Sequence, residues 1–253
     1  MKICVLVKQV CSEDSPLVLN DDKLSLNSDA LNLVTNEPDA YALEEALQLK
    51  EKTNGEVVVC TLGPESSRQV IKDSLAKGAD RGIFISNDSK NNNPLSTANA
   101  ISKKIQEENF DLILSGLQSN DSGFSQIGLL VAECLNTSHA SLVMGTEILS
   151  DKVIKVKLEL ENGWFQWSEL DLPASLTIQS GINSPRYATL KGIMSVKSKT
   201  VDSFESNCNS DNKYEVVEMM YPQKTKETVT IEGSPEDIAS EILDVLKNKI
   251  KVI

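Results

Sequence analysis

Short apolar, β-branched runs alternate with amphipathic stretches through the first half of the chain, and this alternation restricts the fold more than any other property. Lys2–Val10 (KICVLVKQV) is nearly continuous in apolar character, the form taken by a strand buried on both faces of a parallel sheet. Thr35–Lys52 follows with Asn36 placed as an N-cap, Pro38 in the first turn, and Ala42, Ala46 and Leu49 on one face; Asn54-Gly55 stops it. The unit recurs as strand Glu56–Leu62 and helix Ser66–Lys77 ending at Gly78, strand Gly82–Ser86 and helix Leu95–Glu108, strand Asp111–Ser115 and helix Phe124–Leu135. Strands joined by helices in this order make right-handed crossovers and leave both faces of a parallel sheet covered. The expected fold class is therefore α/β with a doubly wound parallel sheet. The polar, asparagine-rich loop Asn87–Pro94 is expected to be exposed.

Beyond Ser141 the pattern changes. Val153–Leu160 and Trp164–Leu170, separated by Asn162-Gly163, predict an antiparallel hairpin that caps a sheet edge. Ala174–Gln179 returns as a strand, Pro185 breaks a loop, and a short helix is expected around Leu190–Val196. From Thr200 the composition turns polar, and only Pro235–Lys249 has helical periodicity, with Ile238, Ile242, Leu243 and Leu246 on one side. One amphipathic helix cannot form a core. The expected division is an α/β domain over 1–199 and an arm over 200–253 that packs on something else.

Composition excludes several functions. With 40% hydrophobic and 25% charged residues the 253-residue chain resembles an ordinary folded protein, and a net charge of −12 argues against binding nucleic acid or an anionic membrane surface. The apolar runs Ile3–Val7 and Leu129–Ala132 are far shorter than the ~20 residues that cross a bilayer, so no membrane insertion is expected, and the chain opens directly on a strand-like run. Cys4, Cys11, Cys60, Cys134 and Cys208 are scattered without a C-x-x-C pair, which fits a reducing, cytoplasmic setting and offers no metal site. His139 is the only histidine, so any mechanism needing two imidazoles is excluded; its expected place is a loop between helix and strand. Glu44-Glu45 and Glu107-Glu108 read as charged, solvent-facing helix surfaces. No P-loop, G-x-G-x-x-G or G-x-S-x-G motif occurs, and no catalytic constellation emerges.

In an open parallel sheet ligands bind at the carboxyl ends of strands, near helix N-termini whose free amides attract phosphate. Three segments leave strands in this way: Leu6–Cys11, Leu62–Ser66 and Gly116–Gly128 (GLQSNDSGFSQIG). In the last, Ser119, Asp121, Ser122 and Ser125 offer oxygens and hydroxyl donors, and Gly123 permits close backbone approach. A capped helix start without ligand is the alternative reading of that loop.

Six segments, Asn36–Lys50, Ala76–Ile83, Asp111–Asp121, Gln126–Glu133, Leu172–Ala174 and Ile182–Met194 (INSPRYATLKGIM), resemble, in order, the beta subunit of electron-transfer flavoproteins. The resemblance covers residues 1 to about 200. It implies an adenine nucleotide alpha hydrolase-like, Rossmann-like sheet, an electron carrier rather than an enzyme, and an alpha subunit as partner. It also implies AMP, or in electron-bifurcating members a second FAD, bound by Leu6, Val7, Lys8, Asn36, Asp39, Leu62, Gly116, Gln118, Ser119, Asp121, Ser122, Gly123, Ser125, Gln126 and Ile127. The redox FAD of the family is held mostly by the alpha subunit, with the region of Glu159 closing over it; Leu158 stands where many members carry arginine, and W-F-Q-W (Trp164–Trp167) is bulkier than usual. Ser184–Met194 matches the loop that docks on acyl-CoA or other dehydrogenases, with Leu190 as anchor beside Tyr187 and Met194, and residues 200–253 would wrap the alpha subunit. The alternatives are a bifurcating subunit using NADH, and a homodimeric, non-redox nucleotide binder of the same fold, whose G-x-x-G-x9-G-[ST] signature is absent.

Overall fold

The apolar runs become strands of one sheet. A computed structural model of the protein describes residues 1–87, 93–206, 216–223 and 228–252, which fall into two compact units, 1–217 and 218–253. In the first unit the elements run β1 (Lys2–Leu6), β2 (Gln9–Cys11), β3 (Leu33–Thr35), α1 (Glu37–Thr53), β4 (Glu56–Gly63), α2 (Arg68–Lys77), β5 (Arg81–Ser86), α3 (Pro94–Ile105), β6 (Leu112–Gly116) and α4 (Ile127–Leu135). They continue as β7 (Ser138–Ser150), β8 (Val153–Glu159), β9 (Phe165–Asp171), β10 (Ala174–Ile178), α5 (Leu190–Ser195) and β11 (Val201–Glu205). Among the described residues the main sheet has nine strands in the order β11-β5-β4-β1-β6-β10-β7-β8-β9, parallel from β11 to β7 and antiparallel from β7 to β9. The fold class is α/β, Rossmann-like and doubly wound.

Strand alternation sorts the core into two layers. Ile3, Val5, Val57, Val59, Leu112 and Leu114 face Ala42, Ala46, Val70 and Leu75 of α1 and α2. Their neighbours Cys4, Leu6, Val58, Cys60 and Ile113 face Ala98, Ile101 and Val131 of α3 and α4. The helices thus cover both faces, as strand–helix alternation requires.

Three expectations need correction. Lys2–Val10 is not one strand: β1 ends at Leu6, and Gln9–Cys11 turns away to pair antiparallel with Leu33–Thr35 in a separate small sheet. α4 begins at Ile127, because Ser125 has a left-handed backbone (φ 54°) that a helix cannot include. His139 lies on β7, paired with Ser175 of β10, rather than in a loop. That strand escaped the sequence pattern because Ser138, Ser141, Gly145 and Thr146 dilute its apolar character, and because its register shifts beside Leu142 (φ 57°) as its partner changes from β10 to β8.

The predicted hairpin is β8–β9, and its turn places both Asn162 (φ 57°) and Gly163 (φ 76°) in the left-handed region these residue types tolerate. β11 pairs in parallel with β5, so a strand lying past residue 200 belongs to the sheet of the first unit. The second unit carries α6 (Pro235–Asp244), opened by a capping box between Ser234 and Asp237. None of its residues is buried. Cys208 lies outside the described residues.

Phe84 on β5 is fully buried, with the Arg68 guanidinium 4.0 Å from its ring centroid. Phe84→Ala is expected to destabilise the protein by about 3–5 kcal/mol, the range for an aromatic truncated in a closed core. Urea denaturation followed by circular dichroism measures this.

Candidate functional site

From β1 the chain winds outward through β4 and β5, then returns to place β6 on the other side of β1. The winding direction reverses between β1 and β6, and the helices that follow these strands diverge to opposite faces. A crevice opens at such a point. Here it is a cleft of about 430 Å³ at the carboxyl ends of β1, β4 and β6.

Its floor depends on Asp39. This side chain is buried at the first turn of α1, where one oxygen accepts from the Lys8 amide just past β1 (2.8 Å) and the other from the Gly116 amide at the end of β6 (2.9 Å). Gly116 must be glycine, since a Cβ there would fall 2.6 Å from Asp39 Oδ1 and 2.6 Å from the Pro38 backbone. Burial pushes the Asp39 carboxyl up to about 7, opposed by the two amide hydrogen bonds. Asn36, one residue before α1, makes no side-chain cap bond. Instead its amide group donates to the Gln118 carbonyl (2.9 Å) and accepts from the Asn120 N–H (3.0 Å), clamping the loop after β6.

That loop carries the polar groups. Lys8 reaches across the cleft to Asp121 (2.6 Å), Ser119 (3.3 Å) and Ser122 (3.3 Å). Burial would raise the Asp121 carboxyl, but its pairing with Lys8 outweighs this and holds it below the ordinary value. Ser125 donates to the Gln118 side chain (3.0 Å), and Gly123 takes φ 62° at the loop tip. No side chain caps α4, so its first-turn amides are left for the cleft that Ile127 and Gly128 line. Ser115 Oγ is buried in the wall with no hydrogen-bond partner. The arrangement offers amides and hydroxyls to an anionic, hydroxylated ligand, with the one ammonium already paired to Asp121, and among the described residues it contains no nucleophile with an adjacent base.

Of the residues singled out from the sequence, Leu6, Val7, Lys8, Asn36, Asp39, Leu62, Gly116, Gln118, Ser119, Ser122, Ser125, Gln126 and Ile127 line this one cleft. Asp121 joins it through Lys8, and Gly123 lies at the tip of the same loop. The opposite wall was missed: Asn87 after β5, and Pro94, Thr97 and Ile101 of α3. Asn87 is 7% exposed, which corrects the expectation of an exposed loop at its first residue, and residues 88–92 of that loop lie outside the described residues. The signal available was the same as for the other walls, a strand end followed by the N-cap Asn93 and a helix opening on Pro94.

The profile of the family described as "Electron transfer flavoprotein domain" matches residues 23–207. Among curated relatives, the electron transfer flavoprotein subunit beta of Syntrophomonas wolfei is 34% identical, covering 100% of this chain and 98% of its own. That of Methylophilus methylotrophus is 32% identical over 97% and 98%, and that of Bos taurus 29% over 97% and 98%. This chain belongs to the electron transfer flavoprotein beta subunit family.

Two further features stand out in this beta-subunit chain. Tyr187, Leu190 and Met194 are 93%, 76% and 71% exposed on and beside α5, so Leu190 is not a core residue of that helix. At the sheet's other end Glu159 accepts from Gln179 (2.9 Å), while Leu158 packs half-buried against the core and Trp164, Phe165 and Trp167 stand exposed. Among the described residues no helix is long and apolar enough to cross a membrane.

Asp39→Asn keeps the shape but turns a donor toward one of two amides, and should cost about 2 kcal/mol, as for a lost hydrogen bond to a charged group. The pH dependence has a definite sign. Because burial raises the folded value to about 7, the folded protein retains a proton that the unfolded chain releases above about pH 4, so this group's contribution to stability falls as pH rises through that window and is level above it. Denaturation midpoints taken from pH 4 to 8 should show that decline in the wild type and lack it in the variant.

Proposed function

We propose that this chain is the nucleotide-carrying half of a cytoplasmic, heterodimeric electron carrier, and that its cleft holds AMP. The family is that of electron transfer flavoproteins, so an alpha subunit is the implied partner and FAD the implied redox group. The cleft at the switch point, with its loop fixed by Asn36 and Asp39, carries the reading for the nucleotide. The amides at the start of α4, the hydroxyls of Ser119, Ser122 and Ser125 and the unpartnered Ser115 Oγ suit a phosphate and a ribose. A volume near 430 Å³ lies low in the range of small-molecule sites, ~300–1,000 Å³, which favours a mononucleotide over a dinucleotide. Bound there, AMP supplies no electrons; the FAD shared with the alpha subunit supplies the redox chemistry.

The exposed apolar side chains of Tyr187, Leu190 and Met194 support docking onto partner dehydrogenases, acyl-CoA dehydrogenases among them, since aromatic and large apolar anchors concentrate binding energy. In the second unit Ile242 and Leu243 of α6 are 45% and 48% exposed, which supports an arm that packs on the alpha subunit. Glu159, bonded to Gln179 on the hairpin, supports closure of this region over the shared flavin.

Two measurements test this reading. Co-purification with the alpha subunit, followed by denaturation and quantification of released nucleotides, should give one FAD and one AMP per heterodimer. Two FAD without AMP would replace the reading with a bifurcating carrier, and absence of a complex would remove it. In stopped-flow reduction by an acyl-CoA dehydrogenase, Leu190→Ala should slow electron exchange about tenfold or more, the effect of a docking anchor, with AMP and FAD content unchanged. Parallel loss of nucleotide would argue against docking.

A further inference from the structure

The helix that closes the nucleotide cleft carries two buried carboxylates whose partners lie away from that cleft. Glu44 and Glu45 of α1 are 4% and 6% exposed, which corrects the expectation of a solvent-facing pair. A carboxylate is buried at high cost unless every oxygen is engaged, and here each is. Glu44 accepts from the backbone N–H of Arg186 (3.2 Å), from its Nε (2.7 Å) and Nη2 (3.0 Å), and from Gln48 (3.0 Å), while Arg186 Nη1 reaches Glu51 (2.5 Å). Glu45 accepts from Asn183 Nδ2 (3.0 Å), which also donates to the Tyr41 carbonyl (3.1 Å), and from Thr146.

Of these partners, Asn183 and Arg186 lie in the stretch leading to α5. At its far end Lys199 donates to the carbonyls of Leu75 (2.8 Å) and Ala79 (2.6 Å), and Gly192 sits so close to α2 that a Cβ would fall 2.1 Å from the Ala76 carbonyl oxygen. The segment is therefore tied down on both sides of Tyr187, Leu190 and Met194, the side chains it holds out to solvent. An apolar anchor kept in place before encounter spares association the ordering of a loop.

We propose that Glu44, supported by Glu45, is a positioning residue for partner docking: the Glu44–Arg186 fork holds residues 183–195 in the conformation that the dehydrogenase meets. The proposal rests on the docking role of Leu190, and the experiment separates the two. With the alpha–beta heterodimer, Glu44→Gln, Arg186→Gln and Leu190→Ala are compared against whichever of a panel of acyl-CoA and other flavin dehydrogenases reduces the wild type fastest. Glu44→Gln and Arg186→Gln, which open the same fork from its buried and half-exposed ends, should each raise the half-saturating dehydrogenase concentration about tenfold, within the range of couplings between linked elements. The maximal rate and the AMP and FAD content should stay unchanged, and amide hydrogen exchange should quicken across 183–195. Combined with Leu190→Ala, the effect should be less than the sum of the two, because both act on one contact. A response to Leu190→Ala with none to the fork variants would overturn the positioning role alone; silence from all three would remove the docking reading with it. Loss of assembly or nucleotide in both fork variants would assign the fork to general stability and overturn the proposal.

Discussion

The Asp39 carboxylate is the joint on which the site depends. A doubly wound sheet produces a crevice wherever its winding reverses, but a crevice between two strand ends has no fixed shape until something spans it. Asp39 spans it from α1, accepting one amide beyond β1 and one at the end of β6. The two amides lack a ladder partner where their strands part, so they would otherwise have to be hydrated in the floor of the cleft. The carboxylate satisfies both and is itself buried, which is why its proton affinity is raised so far. Gly116 follows from this closeness, since no other residue leaves room for the carboxylate and the Pro38 backbone together.

α1 is the element that most of the chain's particular features share. Its apolar face, with Ala42, Ala46 and Leu49, does the ordinary work of covering the sheet. Asn36 and Asp39 at its start shape the cleft at the strand ends, and Glu44 and Glu45 further along fix the 183–186 stretch. Polar groups bonded across long sequence separations are more specific than apolar contacts, because each has one geometry that satisfies it and a penalty for every other. A helix bearing four such groups holds two distant segments at a defined separation. Ile, Val and Leu side chains of the sheet supply the stability, and these polar groups supply the register.

The sequence made the fold legible where periodicity was strong. β4, β5, β6, the helices α2 and α3 and the buried face of α1 followed from runs and amphipathicity, since burial on both sheet faces leaves little choice of residue. β7 was illegible because half of it pairs in parallel and half antiparallel, so no single alternation covers it. The roles of Asn36, Glu44 and Glu45 were hidden for another reason. An asparagine before a helix reads as a cap, and adjacent glutamates on a helix read as a wet surface, because the groups that claim them lie 82 to 142 residues away. One wall of the cleft was missed because polarity in Asn87–Pro94 was read as exposure, although Asn87 turns inward at a strand end.

The absence of a phosphate motif from so acidic a chain has a physical explanation in the same loop. A surface with net charge −12 repels a nucleotide at long range, so the attraction the proposed function requires is local. Lysine would be the direct source, yet Lys8 is already matched to Asp121 at 2.6 Å, which leaves little net positive charge in the cleft. What remains is the backbone: the amides opening α4, brought forward by a left-handed Ser125 and flanked by serine hydroxyls. Amides carry no side-chain signature, so a site built on them has a conformation rather than a motif as its mark. Holding that conformation takes fixed points, and Asp39 and Asn36 provide them at Gly116, Gln118 and Asn120. A cleft of this kind can suit an anion without the chain becoming basic, which reconciles the proposed phosphate ligand with the acidity.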